Sequence, residues 1–109
     1  MFFGGIAFTI VNDVWLKRLI VREFIEEKIW EKHQVKRFEV EEILTSRHAI
    51  RLRHKKDPVR TIVIGLTQAR RPLKIILQFQ GRGRYFLVSA MDLSAKEKRR
   101  YGKKIKGHS

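Results

Sequence analysis

LKIILQFQGRGRYFLVSA, residues 73–90, is the stretch that decides the fold. Leu73, Ile75, Leu77 and Phe79 alternate with Lys74, Ile76, Gln78 and Gln80, the period-two pattern of a strand with one face in a core and the other half polar. Gly81, Arg82 and Gly83 follow as a short hairpin, since glycine adopts the positive φ that tight turns between strands demand. Residues 84–90 then return as a partner strand. Upstream, Ile50 and Leu52 alternate with Arg51 and Arg53, and Ile62 and Ile64 flank Val63, with turns over residues 55–58 and 68–72. Four strands in an antiparallel meander are expected.

One face of such a sheet needs a cover, and residues 22–44 can provide it. Phe24, Ile25 and Ile29 share a helical face, with Glu27 and Glu31 near Lys28 and Lys32 around the other. Over residues 37–44, Val40, Ile43 and Leu44 keep helical spacing while Glu41 and Glu42 face water. Gln34, Val35 and Lys36 leave so little chain between the two that they form a helical hairpin, whose apolar faces must pack on another layer. After the last strand, Ser94 and Glu97 spell a capping box, which starts a third helix running through Arg100 and Tyr101 to a stop at Gly102. The expected fold is α+β, a helical hairpin packed on a four-stranded antiparallel sheet with a C-terminal helix. Residues 19–101 form the domain, residues 102–109 a basic tail, and residues 1–18 an N-terminal extension, either an extra strand or an overextended start.

Charge narrows the function. The chain of 109 residues carries 25 Lys and Arg against 11 Asp and Glu, a net of +14. Residues 22–44 hold five basic and seven acidic side chains, whereas residues 45–109 hold eighteen basic and three acidic ones. An excess so segregated draws polyanions and opposes the compact state until it is neutralised. Hydrophobic residues at 43% are too many for a disordered chain, and charged residues at 33% interrupt any membrane-spanning run, so a soluble domain is expected. The apolar opening from Met1 to Phe8 lacks a basic leader and a cleavage motif and is too short to span a bilayer, so no membrane association and a cytoplasmic location are expected. Without cysteine there is neither a disulfide framework nor a thiolate metal site, and with the histidines scattered no metal or other cofactor is expected. Gly81, Arg82 and Gly83 are not followed by Gly-Lys-Ser/Thr, so they are no nucleotide-binding loop.

The order of several segments resembles the BrnT-type toxins of type II toxin-antitoxin systems, which have a RelE-like fold. Lys32, His33, Gln34 and Val35 followed by Glu39, Val40, Glu41 and Glu42 resemble the family's Lys-His-x-Val turn and its Glu-Val-Glu-Glu helix. Ile64, Gly65, Leu66 and Thr67 resemble its middle strand, and Ser89, Ala90, Met91 and Asp92 with Lys96 to Tyr101 its closing strand and basic helix. The resemblance implies an RNA-cleaving enzyme acting on RNA, free or on the ribosome, and arresting translation. It further implies a cognate antitoxin, a ribbon-helix-helix DNA-binding protein encoded beside it. Four positions depart from the family pattern: Val21-Arg22 stands where relatives have Trp-Asp, and Phe86 and Met91 stand where they have arginine. Those two losses favour an alternative, a non-catalytic RNA- or ribosome-binding module on the same fold.

The candidate catalytic residues are Lys32, His33, Arg84, Arg100 and Tyr101, and the candidate RNA contacts are Arg51, Arg53, Lys74, Arg82, Lys96 and Arg99. His33, at a helix end, is either a proton carrier or a cation facing the last carbonyls. Lys32 can reach a phosphate one turn from Lys28. Arg82 and Arg84 flank a glycine that lets a phosphate near the backbone, where guanidinium forks can grip it. Arg51 and Arg53 share a strand face and with Lys74 can line a groove. Arg100 suits a pentavalent phosphate, and Tyr101 is either a stacking partner for a base or an anchor docking the last helix. Lys96 and Arg99 extend the same basic helix.

Overall fold

The computed structural model describes residues 15–107. Its elements are β1 (Arg18–Ile20), α1 (Glu23–His33), α2 (Arg37–Leu44), β2 (Ile50–Arg53), β3 (Arg60–Leu66), β4 (Pro72–Gly81), β5 (Arg84–Asp92) and α3 (Ala95–Ile105). The strands form one sheet in the order β1-β5-β4-β3-β2. The meander β2 to β5 is antiparallel throughout, as its alternation requires. The sheet differs from expectation at one edge: β1 adds a fifth strand, parallel to β5, with Leu19 opposite Tyr85. A parallel partner cannot come from a hairpin, so α1, α2 and the whole meander intervene between the two strands. The backbone carbonyl of Gly83 seats this strand by accepting from the amides of Lys17 (2.7 Å) and Arg18 (3.1 Å). Gly83 has φ +75°, and a Cβ there would lie 2.7 Å from the Lys17 side chain, so glycine is required on two counts. Of the proposed N-terminal extension, residues 1–14 lie outside the described residues, whereas Leu16 is fully buried in the core.

The sheet has helices on both faces. On one, Ile25 and Ile29 of α1 and Val40, Ile43 and Leu44 of α2 pack on Val63, Leu73, Ile75, Leu77 and Leu87. Gly65 allows this close approach, because a Cβ would stand 3.0 Å from Ile43 and 3.3 Å from Ala49. Gln34 turns the hairpin in the left-handed region (φ 53°), and the amides of Gln34 and Val35 cap the carbonyls of Trp30 (2.9 Å) and Ile29 (3.1 Å). On the other face, Ile105 and Tyr101 of α3 pack over Ile64, Leu93, Ile50, Leu52, Ile62 and Leu66.

Ser94 Oγ accepts from the Glu97 amide (3.1 Å) and Glu97 Oε1 accepts from the Ser94 amide (2.9 Å), the capping box expected of this segment. The helix does not stop at Gly102, however. It continues to Ile105, which is 3% exposed, and the left-handed glycine that ends the run is Gly107 (φ +88°). A glycine inside a helix costs about 1 kcal/mol relative to alanine, less than the roughly 2–3 kcal/mol from burying an isoleucine, so the helix runs through. Residues 103–105 therefore belong to the domain and not to a tail. Among the described residues no helix is long and apolar enough to cross a membrane.

Candidate RNA-binding cleft

Strand register assigns every side chain of the sheet to a face. Lys74 stands opposite Ile64 and Met91, on the α3 face, whereas Arg51 stands opposite Val63 and Arg53 opposite Thr61, on the face of the helical hairpin. The groove expected between Arg51, Arg53 and Lys74 is thus split by the sheet itself. Arg53, near the end of the short edge strand β2, borders a cleft on each side.

The cleft on the α3 face measures about 580 Å³ and lies between α3 and the strands β2 to β4. Leu52, Ile62 and Ile64 give it an apolar floor, and its rim carries Arg53, Lys55, Lys56, Lys74, Lys96 and Arg100 with the ring of Tyr101. Lys74 is held by Glu97 (Nζ to Oε2, 2.8 Å), so the one carboxylate among these residues is engaged. Burial works against ionisation of Glu97, but hydrogen bonds from Lys74 and the Ser94 backbone outweigh it and hold its pKa below the ordinary value. The same carboxylate therefore caps α3 and fixes the Lys74 ammonium. Arg100 lies with its guanidinium carbon 5.5 Å from the Tyr101 ring centre. Tyr101 packs on the second core cluster, as the anchoring reading expects, and it also lines the cleft.

His54 is the residue that sequence reasoning passed over. Its Nδ1 accepts from the amides of Lys56 (3.2 Å) and Asp57 (3.1 Å), which orients the ring at the cleft wall and leaves Nε2 as the N–H donor. A lone histidine beside two lysines has no spacing pattern. The Asp-Pro turn after it was the available signal, because such turns leave amides for a preceding side chain to bind.

The hairpin-face cleft, about 460 Å³, is lined by Arg51, Arg53, Arg60, Phe79 and Tyr85 among others. The Arg51 guanidinium stands 4.6 Å from the Trp15 ring centre, and Trp15 meets Tyr85 edge-on at 4.9 Å. Lys32, His33, Arg82, Arg84 and Arg99 border neither cleft. His33 instead offers its backbone carbonyl to Arg71 Nη2 at 2.9 Å. Arg71 also donates to the Gln34 carbonyl (2.8 Å) and to Asp92 (3.0 and 3.2 Å), and pairs with Glu39 (3.3 Å), so it fastens the turn of the helical hairpin to the end of β5. Its pKa is raised, chiefly by the hydrogen bond to Asp92.

The described residues thus form a strongly basic α+β domain, with a helical hairpin on one face of a mixed sheet and a single helix on the other. No family model matches the chain, and no curated protein matches it by sequence. Among solved structures it is similar to the Brucella abortus ribonuclease toxin BrnT, with a TM-score of 0.57 and 19% sequence identity over 71% of this chain and 96% of that one. The shared feature is the fold, and it agrees with the resemblance read from the sequence. The α+β class holds, with five strands in a mixed sheet instead of four.

Proposed function

We propose that this chain is a ribonuclease toxin that cleaves RNA without a metal ion and arrests translation until an antitoxin binds it. The observation that carries the reading is the α3-face cleft, where cationic side chains from a strand, a loop and a helix converge on an apolar floor beside an oriented imidazole. RNA cleavage of this kind needs no water as the nucleophile. The ribose 2′-oxygen attacks the adjacent phosphorus, the P–O5′ bond breaks, and the products end in a 2′,3′-cyclic phosphate and a 5′-hydroxyl. A proton leaves the 2′-hydroxyl and another reaches the departing 5′-oxygen.

In this cleft His54, whose Nε2 carries the hydrogen, can donate a hydrogen bond to the reacting phosphate, solvent takes the first proton, and the surrounding lysine ammonium groups can supply the second. Arg100 and Lys74 offset the charge that builds on the pentavalent phosphate, and Tyr101 presents a ring for a base. Lys32, His33 and Arg84 take no part in this step, and Arg53 and Lys96 hold the flanking phosphates. The antitoxin is a ribbon-helix-helix protein encoded next to this chain.

Phe86 and Met91, both apolar on the α3 face, favour a second reading in which the cleft binds RNA without cutting it. Incubating the purified chain with RNA, with and without chelator, separates the two. Chelator-resistant fragments ending in cyclic phosphate are expected from the enzyme. Intact RNA in a shifted gel band overturns the catalytic reading and leaves the binding one.

A further inference from the structure

Outside the cleft, a second group of side chains, at the edge of the sheet where β1 leads into α1, has the chemistry of a nucleotide seat. Arg22 follows β1 and caps the N-terminus of α1 in extended backbone (φ −76°, ψ 147°), without a side-chain hydrogen bond to the helix. Its guanidinium lies 4.2 Å from the ring centre of Phe86 and 5.2 Å from that of Phe24. Among the described residues no carboxylate pairs with it, and Arg22 is exposed. Phe24 is 59% exposed, an unusual position for a phenyl ring on a helix whose buried contacts are made by Ile25 and Ile29. Two aromatic faces and an unpaired planar cation thus stand together at the surface.

Register connects this group to the cleft. Phe86 pairs with Gln78 and with Ile20, and Gln78 pairs with Arg60, a row that crosses the sheet on the α3 face. Ile62 of the cleft floor lies two strands from β5 and two residues along, which at roughly 4.8 Å per strand and 3.3 Å per residue places it about 12 Å from Phe86. An extended single strand covers that distance in a few nucleotides. The chemistry selects the occupant. A net charge of +14 disfavours cationic ligands, and a flat group with an attached anion is what two arenes and a guanidinium accommodate together.

We propose that Arg22, Phe24 and Phe86 form a stacking platform for one unpaired nucleotide of single-stranded RNA a few positions from the phosphate held in the cleft. The base stacks on the exposed ring, and Arg22 binds the adjoining phosphate. This platform rests on the RNA reading above and deepens it, because it makes the substrate single-stranded and gives it a minimum length. Base stacking tolerates every base, so the platform adds affinity without adding a sequence code.

The test is equilibrium binding of the full chain to single-stranded RNA oligonucleotides of increasing length, with Arg22→Gln, Phe24→Ala and Phe86→Leu variants beside the parent. Expected is about tenfold weaker binding of the longer oligonucleotides by each variant, and unchanged binding of a dinucleotide that fills only the cleft. A 2-aminopurine placed a few nucleotides from the cleft should be quenched by the parent and not by Phe24→Ala, a readout that a change in stability does not mimic. If long RNA binds parent and variants equally, the platform is wrong and the RNA reading stands. A loss that is equal at all lengths also overturns the platform, and failure of the parent to bind any RNA overturns both.

Discussion

Replacing Ile105 with alanine tests whether the end of the basic helix is structural. The side chain is 3% exposed and sits with Ile64 and Leu93 in the core under α3. Removing three carbons from such a site costs the lost transfer energy plus the cavity left behind, about 2–5 kcal/mol for isoleucine to alanine. The second core cluster is small, with three buried members, so neighbours can relax inward and the lower half of that range is expected, about 2–3 kcal/mol. For a domain of this size each kcal/mol moves the melting temperature by about 4–8 °C, so a drop on the order of 10–20 °C should be seen by circular dichroism. Gly102→Ala should act in the opposite direction. Gly102 is helical, and a Cβ there meets nothing within 4 Å, so alanine should stabilise by about 0.5–1 kcal/mol. An Ile105→Ala variant within about 0.5 kcal/mol of the parent, the usual span for surface positions, would refute the reasoning and return residues 103–109 to a loose tail.

Glu97 is held below its ordinary pKa in the folded chain, so its contribution to stability is present above the unfolded value of roughly 4.3 and is lost as pH falls through the lower folded value. Urea midpoints should therefore decline with acid below about pH 4.5 more steeply in the parent than in Glu97→Gln, and parallel curves would contradict the assignment. Arg71→Ala strips two backbone carbonyls and two carboxylates of their shared donor and should cost about 1–3 kcal/mol, discounted for partial exposure. It should leave RNA affinity nearly unchanged, and a loss of binding at unchanged stability would move the site towards the helical hairpin. Arg100→Ala should lower the RNA cleavage rate by about a hundredfold or more while thermal stability stays within about 0.5 kcal/mol. RNA affinity should fall with salt, at a log–log slope of about 0.7 per phosphate contacted, and a flat profile would remove the polyanion reading altogether.

Most of the fold was legible because local chemistry and tertiary need agree in this chain. The helical hairpin followed from Val40, Ile43 and Leu44 and a three-residue connection, and α2 spans the residues that this spacing indicated. The meander followed from alternation and from glycines at the β4–β5 turn. β1 was not legible. Three residues pairing in parallel with a strand more than sixty positions away leave no local signature, and their apolar content reads equally as loop. The helix end misled for a different reason: Gly102 is a plausible stop, and only the four-residue spacing of Tyr101 and Ile105 indicated that the apolar face continued. Of the candidate site, Lys74, Lys96, Arg100 and Tyr101 came together as residues of one strand face and one helix. Alternation along a strand shows which residues share a face but not which layer covers it, and so Arg51 was assigned to the groove of Lys74. His54 was passed over because its orientation depends on backbone amides of a turn, for which the Asp57-Pro58 pair was the one sequence signal.

The sheet ends unequally. β1 shields the start of β5, while on the other side β2, only four residues long, is the outermost strand among the described residues. An open strand edge invites a second copy to add its own, the first step towards insoluble stacks of sheets. Here two copies meeting edge to edge would bring Arg51 and Arg53 of each against those of the other. The charge of this edge therefore opposes self-association, and its repulsion reaches only about 10 Å at 0.1 M salt. This protein should be most prone to clumping where its charge is masked, in concentrated salt.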